Sequence, residues 1–257
     1  MTDKDGTQEV VAVTSSPLVA RSTVPPNLPY AEYRQTLRRD FLFCCAYCTT
    51  SEAEASGLRF TIDHYEPRTA RPDLEREYGN LMYCCDGCNL RKGDRTPPQT
   101  ARDAGYRFYR PDEDTFVEHF RPSGQRVESE SKAGEYTIEA LDLNRQSLRR
   151  VRELRMRLGL LGNQVAEGLR GLKGLKLDRL PLSLRGRALA AINNAEDVED
   201  RLASAIDGVL ESLLRSPLLD EDAEAGERAI DRAKILQQLE VMFPGAWRGR
   251  EIAKNAG

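Results

Sequence analysis

Two cysteine pairs decide the fold: Cys45-Ala46-Tyr47-Cys48 near the start of residues 41–95, and Cys85-Asp86-Gly87-Cys88 near their end. Each C-x-x-C pair places two thiolates on one side of a tight turn, and two pairs supply four soft ligands for tetrahedral zinc. The 36 residues between the pairs are too many for a short zinc ribbon, so a folded insert is expected. The spacing therefore predicts one structural Zn²⁺ on Cys45, Cys48, Cys85 and Cys88.

The cellular setting favours metal binding over disulfides. The first residues show no basic segment followed by an apolar stretch, so no secretory signal is visible and a reducing, cytoplasmic location is expected. A thioredoxin-like redox pair is the alternative, but no βαβ pattern follows either pair. Cys44 and Cys84 are interpreted as small buried apolar residues, with Cys44 as an alternative ligand.

The insert carries a polar cluster at the end of a short predicted strand. Residues 58–63 alternate between apolar and polar, which predicts a strand with Leu58, Phe60 and Ile62 facing a core. Asp63 and His64 follow at its end, and the chain has only two histidines.

These residue types suit phosphodiester hydrolysis. Mg²⁺ prefers oxygen ligands, which the Asp63 carboxylate and the Asn89 amide can supply if the zinc site brings them together. His64 titrates near neutrality in its unperturbed form and can take a proton from an attacking water.

The order C-x-x-C, Asp63-His64, Asn80, C-x-x-C-Asn89 and Lys92 resembles the HNH endonuclease superfamily, in particular its zinc-containing branch with the ββα-metal fold. The resemblance covers about residues 41–95. It implies that His64 is the general base, that Asn80 holds the loop that orients this base, and that zinc is structural. Some relatives have histidine in place of Asp63 or Asn89, so the oxygen ligands here favour catalytic Mg²⁺ or Mn²⁺.

The predicted fold class is α+β: a small zinc-stabilised ββα-metal (HNH) module followed by a mainly α-helical region. The predicted units are a flexible N-terminal arm (1–29), the nuclease domain (30–135) and the helical region (136–257). Within them we expect a helix over 30–43, a turn and short helix over 80–92, and short strands over 106–120. A long helix capped by Asn144 should bury Leu148, Val151, Leu154, Leu158 and Leu161 and break near Gly168–Gly174. Further helices are expected over 184–193, 197–215 and 222–243.

Charge is unevenly distributed along the chain. The net charge is −3, but residues 136–190 carry +7 and residues 191–257 carry −6. The basic block suits an anionic partner, and the predicted nucleic-acid contacts are Arg91, Lys92, Arg149, Arg150, Arg152 and Arg157. The alternatives are that Arg91 and Lys92 are ordinary helix-end cations, and that the arginines after residue 144 pair with the acidic segments after residue 194. His119 is interpreted as structural.

The functional hypothesis is a metal-dependent endonuclease that hydrolyses phosphodiester bonds in DNA. Residues 139–145 and the following basic helix resemble the downstream part of HNH proteins in anti-phage systems of the Septu type, which implies a role in defence with a partner ATPase. The alternatives are a zinc-stabilised nucleic-acid-binding or adaptor module without catalysis, and a regulatory interaction protein. No apolar run is long enough for a membrane span, so no membrane partner is expected.

Overall fold

The computed structural model describes residues 17–55, 59–174 and 222–246. In this part of the chain, 3₁₀ turns cover Tyr30–Tyr33, Pro72–Leu74 and Tyr78–Asn80. The strands are β1 Phe60–His64, β2 Leu81–Cys85, β3 Phe120–Ser123 and β4 Arg126–Ser129. The α-helices are α1 Arg34–Asp40, α2 Glu52–Ala55, α3 Asp86–Lys92, α4 Gln99–Asp103, α5 Phe116–His119, α6 Lys132–Leu141, α7 Gln146–Gly174 and α8 Ala225–Met242.

The centre of the fold is the predicted ββα unit. Strand β1 pairs antiparallel with β2, so that Asp63 lies opposite Met82 and His64 opposite Leu81, and α3 begins directly after β2. The sequence interpretation missed β2 and assigned its residues to a turn. All five residues of β2 are buried, so the strand shows no polar alternation, as expected for a strand covered on both faces.

The helix expected over 30–43 is a 3₁₀ turn continued by α1. Its predicted apolar face is buried, with Tyr33, Leu37 and Phe41 each no more than 2% exposed. The helix ends early because Leu42 and Phe43 have φ values of 54° and 60°, a conformation that a right-handed helix cannot continue through.

The described part of the N-terminal arm, residues 17–29, has no helix or strand but is held against the domain. The Val19 amide donates to the Pro111 carbonyl at 3.0 Å. Arg21 pairs with Asp112 at 2.9 Å and donates to the Leu81 carbonyl at 2.7 Å. Residues 17–29 therefore form an extended segment that is bonded to the domain, and residues 1–16 lie outside the described residues.

The strands expected over 106–120 are replaced by a different arrangement. Residues Phe116–His119 form the short helix α5, and a hairpin of β3 and β4 follows. Gly124, with a φ of 56°, lies in the turn of this hairpin, where a glycine adopts the left-handed conformation without strain.

The C-terminal side is helical, as predicted. Helix α7 begins at Gln146, and the Asn144 side chain does not cap it but bonds to both the amide and the carbonyl of Val127 at 2.9 Å. The predicted stripe is buried at Leu148, Val151 and Leu154, whereas Leu158 is 47% exposed.

Helix α7 also continues through Gly168 and Gly171, two of the glycines that were expected to break it, as far as Gly174, where the described residues of this segment end. Helix α8 lies within the predicted range 222–243. The helices predicted over 184–193 and 197–215, and the side chains of Leu58 and Leu161, lie outside what the structure describes. None of the described helices has the length and hydropathy needed to cross a membrane.

Candidate active site and metal centre

The four predicted cysteines form one buried cluster. The sulfur atoms of Cys45, Cys48, Cys85 and Cys88 all lie within 4.8 Å of one another, and those of Cys48 and Cys85 are 3.8 Å apart. Zn–S bonds of about 2.3 Å in a tetrahedron place two sulfurs about 3.8 Å apart. The donor set and its spacing therefore fit a tetrahedral zinc ion, and these four residues would hold it.

The other two cysteines lie outside this cluster, as expected. Cys84 is fully buried on β2, and Cys44 is half-buried. The Cys44 thiol donates to the Leu42 carbonyl at 3.3 Å.

A buried arginine lies against the cluster. Arg145 is 5% exposed, and its guanidinium nitrogen lies 3.8 Å from the sulfur of Cys88. The same side chain donates to the carbonyls of Leu141 and Asp142 at 3.1 and 3.2 Å. Four thiolates around one Zn²⁺ would carry an excess of negative charge, which this cation would offset. The sequence interpretation missed Arg145, because only the fold brings it beside Cys88.

The predicted catalytic residues lie together in one cleft. A cleft of about 390 Å³ is lined by Asp63 and His64 from the end of β1 and by Asn89 from α3. The Asn89 amide nitrogen donates to Thr61 Oγ1 at 3.0 Å, which leaves its carbonyl oxygen as the acceptor. The ββα unit thus brings two possible oxygen ligands for a metal ion, from Asp63 and Asn89, into the same cleft as the imidazole of His64.

The imidazole of His64 is fixed in one tautomer. Its Nε2 lies 3.0 Å from the backbone carbonyl of Glu75, and a carbonyl only accepts, so Nε2 carries the proton and Nδ1 carries the lone pair. The ring also makes an edge contact with Tyr30, with centroids 5.2 Å apart. Burial lowers the pKa of His64 below its usual value, which keeps the ring neutral and able to accept a proton near pH 7.

Asn80 holds the loop that carries Glu75. Its side-chain oxygen accepts from the Glu66 amide at 2.8 Å. Its side-chain nitrogen donates to the carbonyls of Glu66 and Leu74 at 3.0 and 3.3 Å. Asn80 therefore links both ends of residues 66–74, and it is not among the residues that line the cleft.

The carboxylate of Asp63 has two partners that sequence reasoning did not assign. The Tyr47 hydroxyl donates to Oδ2 at 2.6 Å, and the Lys92 ammonium lies 3.1 Å from both Oδ1 and Oδ2. Asp63 is 5% exposed, yet it lines the cleft. Oδ1 has only Lys92 as a partner and keeps a second lone pair, so this oxygen, together with the Asn89 carbonyl oxygen, is the one that could bind a hard divalent cation.

Arg91 and Lys92, which were predicted to contact nucleic acid, donate hydrogen bonds to backbone carbonyls of the protein. Lys92 is fully buried and donates to the His64 carbonyl at 2.7 Å, so the expectation that it touches a phosphate is wrong. Arg91 donates to the Gly87 carbonyl of its own helix at 2.9 Å.

The predicted arginines of α7 divide into two groups. Arg149 pairs with Glu224 at 2.8 Å, which follows the alternative of pairing with the acidic C-terminal segments. Arg152 donates to the carbonyls of Leu143 and Gln125. Arg150 and Arg157 are about half exposed and share the carboxylate of Glu153. Only Arg150 and Arg157 of this set therefore present substantial charge to solvent.

The comparisons with known proteins agree with this geometry. Residues 45–95 match the family model of the HNH endonuclease. The searches of curated proteins and of solved structures found no match. The matched residues begin at the first cysteine of the cluster and include the cleft residues Asp63, His64 and Asn89. Residues 45–95 are accordingly an HNH endonuclease domain that contains a four-cysteine metal-binding cluster.

Proposed function

We propose that the chain is a metal-dependent endonuclease that hydrolyses phosphodiester bonds in DNA. The observation that carries this proposal is the common cleft of Asp63, His64 and Asn89, with Nε2 of His64 bound to the Glu75 carbonyl. A binding module without catalysis has no need for a neutral, oriented imidazole beside two side-chain oxygens that could bind a metal ion.

In this proposal each residue has one task. His64 takes a proton on Nδ1 from the attacking water, while the Glu75 carbonyl and Tyr30 hold its ring. Asp63 and Asn89 would hold Mg²⁺ or Mn²⁺, which when bound stabilises negative charge on the phosphate and the leaving oxygen. The four cysteines would hold Zn²⁺ as a scaffold and take no part in the reaction themselves.

The proposal also includes the biological setting. The segment 139–145 resembles anti-phage HNH proteins, so we propose a cytoplasmic defence role with a partner ATPase. The net charge of −3 supports dependence on a partner, because electrostatic attraction supplies most non-specific binding to DNA. Phage plating on cells that carry the parent system or a His64→Ala version tests this role. Equal plating on both contradicts a defence role for the nuclease.

The biochemical proposal is tested by nicking of supercoiled plasmid. Zinc-loaded protein is incubated with plasmid, with or without added Mg²⁺ or Mn²⁺, alongside Asp63→Ala and Asn89→Ala. We expect relaxed or linear plasmid only when the parent protein is incubated with the added cation. Product formation that is equal in all samples would contradict the proposed chemistry.

A further inference from the structure

We infer that Tyr47 is a positioning residue that couples the four-cysteine cluster to the site carboxylate of Asp63. The inference deepens the proposed function, since it assigns the residue that sets the position of a proposed catalytic ligand. It is carried by the hydrogen bond between the two side chains.

The position of Tyr47 follows from the first cysteine pair. Tyr47 lies between Cys45 and Cys48, and its side chain is almost fully buried. The Cys45 carbonyl accepts from the Thr49 amide at 2.9 Å, and the Ala46 amide donates to the Tyr83 carbonyl at 2.8 Å. Metal bound to both cysteines fixes the turn on either side of Tyr47, and with it the hydroxyl that donates to Asp63 at 2.6 Å.

The second partner of Asp63 comes from the second cysteine pair. Lys92 lies one turn after Cys88 on helix α3, with its ammonium 3.1 Å from the carboxylate and near the face of Phe108. Asp63 is therefore held from two sides. Tyr47 directly precedes Cys48, and Lys92 lies one helical turn after Cys88. The position of the carboxylate depends on whether both cysteine pairs are held in place.

This arrangement has a thermodynamic consequence. If metal in the cluster fixes Tyr47, and Tyr47 fixes Asp63, then a change at Asp63 must alter the affinity of the cluster for metal by the same coupling. Because the hydrogen bond joins a charged group, we expect the coupling to change the zinc affinity by about tenfold. The coupling must vanish when the hydroxyl is removed.

A double-mutant cycle on zinc affinity tests the inference without relying on cleavage. Zinc affinity is measured by competition with a chromophoric chelator for the parent, Tyr47→Phe, Asp63→Ala and the double variant. We expect the effects of the two single changes to be non-additive by about tenfold. Additive effects would overturn the inference.

The chain offers a matched control for the tyrosine. Tyr83 is equally buried, and its hydroxyl donates to a different carboxylate, that of Glu52, at 2.5 Å. In a second cycle, Tyr83→Phe replaces Tyr47→Phe, and we expect its effect to add to that of Asp63→Ala. Equal non-additivity in both cycles would show a general loss of packing and would contradict a specific role for Tyr47.

Two further sets of measurements cover a variant that does not fold and a parent that does not cleave DNA. Asp63→Ala leaves the buried ammonium of Lys92 unpaired, so if this variant does not fold, all four proteins are made with Lys92→Met, and the same non-additivity is expected. Cleavage of plasmid is measured for Tyr47→Phe and Tyr83→Phe, with a loss expected only for Tyr47→Phe. If the parent does not cleave DNA, the proposed function fails while the zinc cycle still decides the inference.

Discussion

The backbone carbonyl of Glu75 lies 3.0 Å from Nε2 of His64. This contact makes Nδ1 the basic atom of the imidazole. It also makes the orientation of the base depend on the loop of residues 66–75, which Asn80 holds by three hydrogen bonds. The role of Asn80 in the proposed reaction is thus indirect.

Replacement of Asn80 by alanine should loosen this loop and slow cleavage in part. Asn80 is 6% exposed. Its removal takes away the side-chain partner of the Glu66 amide and of the Glu66 carbonyl, at a cost of about 1–3 kcal/mol for each buried group left unsatisfied, whereas the Leu74 carbonyl still accepts from the Glu77 amide at 3.2 Å. Hydrogen exchange should show faster exchange of the Glu66 amide and its neighbours, with zinc content unchanged. Unaltered exchange over residues 66–75 would contradict this role.

Replacement of any cluster cysteine by serine should release the metal and unfold residues 41–95. The cluster joins the first cysteine pair to β2 and α3, so loss of the metal removes the binding free energy that holds these segments together. Elemental analysis of the parent should give one zinc per chain. Cys44→Ser is the control, since Cys44 lies outside the cluster, and it should retain the zinc. Loss of zinc from Cys44→Ser would indicate that Cys44 is a ligand and would contradict the ligand set proposed here.

Replacement of Arg145 by methionine should lower the zinc affinity. The guanidinium lies 3.8 Å from the Cys88 sulfur, and methionine keeps much of the packing but removes the charge that offsets the thiolates. We expect a loss of about tenfold, the order expected for removing a hydrogen bond to a charged group. Arg150→Met, which removes a charge that is about half exposed, is the control. Equal zinc affinity in Arg145→Met and the parent contradicts the role of this cation.

Reversal of charge at Arg150 and Arg157 should weaken DNA binding and reduce its salt dependence. Both side chains are about half exposed, and each lost phosphate contact lowers the slope of log K against log salt by about 0.9. Arg149→Glu should instead destabilise the contact with Glu224 and lower the melting temperature. Unchanged DNA affinity after reversal of both Arg150 and Arg157 would show that these two residues do not contribute to DNA binding.

The sequence predicted the centre of the fold well because its signals are local. The cysteine spacing indicated the cluster, and the alternation over 58–63 indicated the strand that the structure shows as β1, Phe60–His64. Strand β2 was missed because all five of its residues are buried, although the uninterrupted apolar run Leu81–Cys85 was a signal that could have revealed it. The contacts of Tyr47, Lys92, Glu75 and Arg145 join segments that are distant in the sequence, and no spacing pattern reports them.

The role of His64 is tested most directly by the single-turnover rate of DNA cleavage in His64→Ala. The account predicts a rate at least about 10²-fold below the parent, as expected for loss of a general base, with zinc content and circular dichroism unchanged. His119→Ala is the matched control: His119 binds Ser131 Oγ at 2.6 Å away from the cleft, so this change should reduce stability but retain cleavage by the folded protein. Cleavage by His64→Ala at the parental rate would contradict the account.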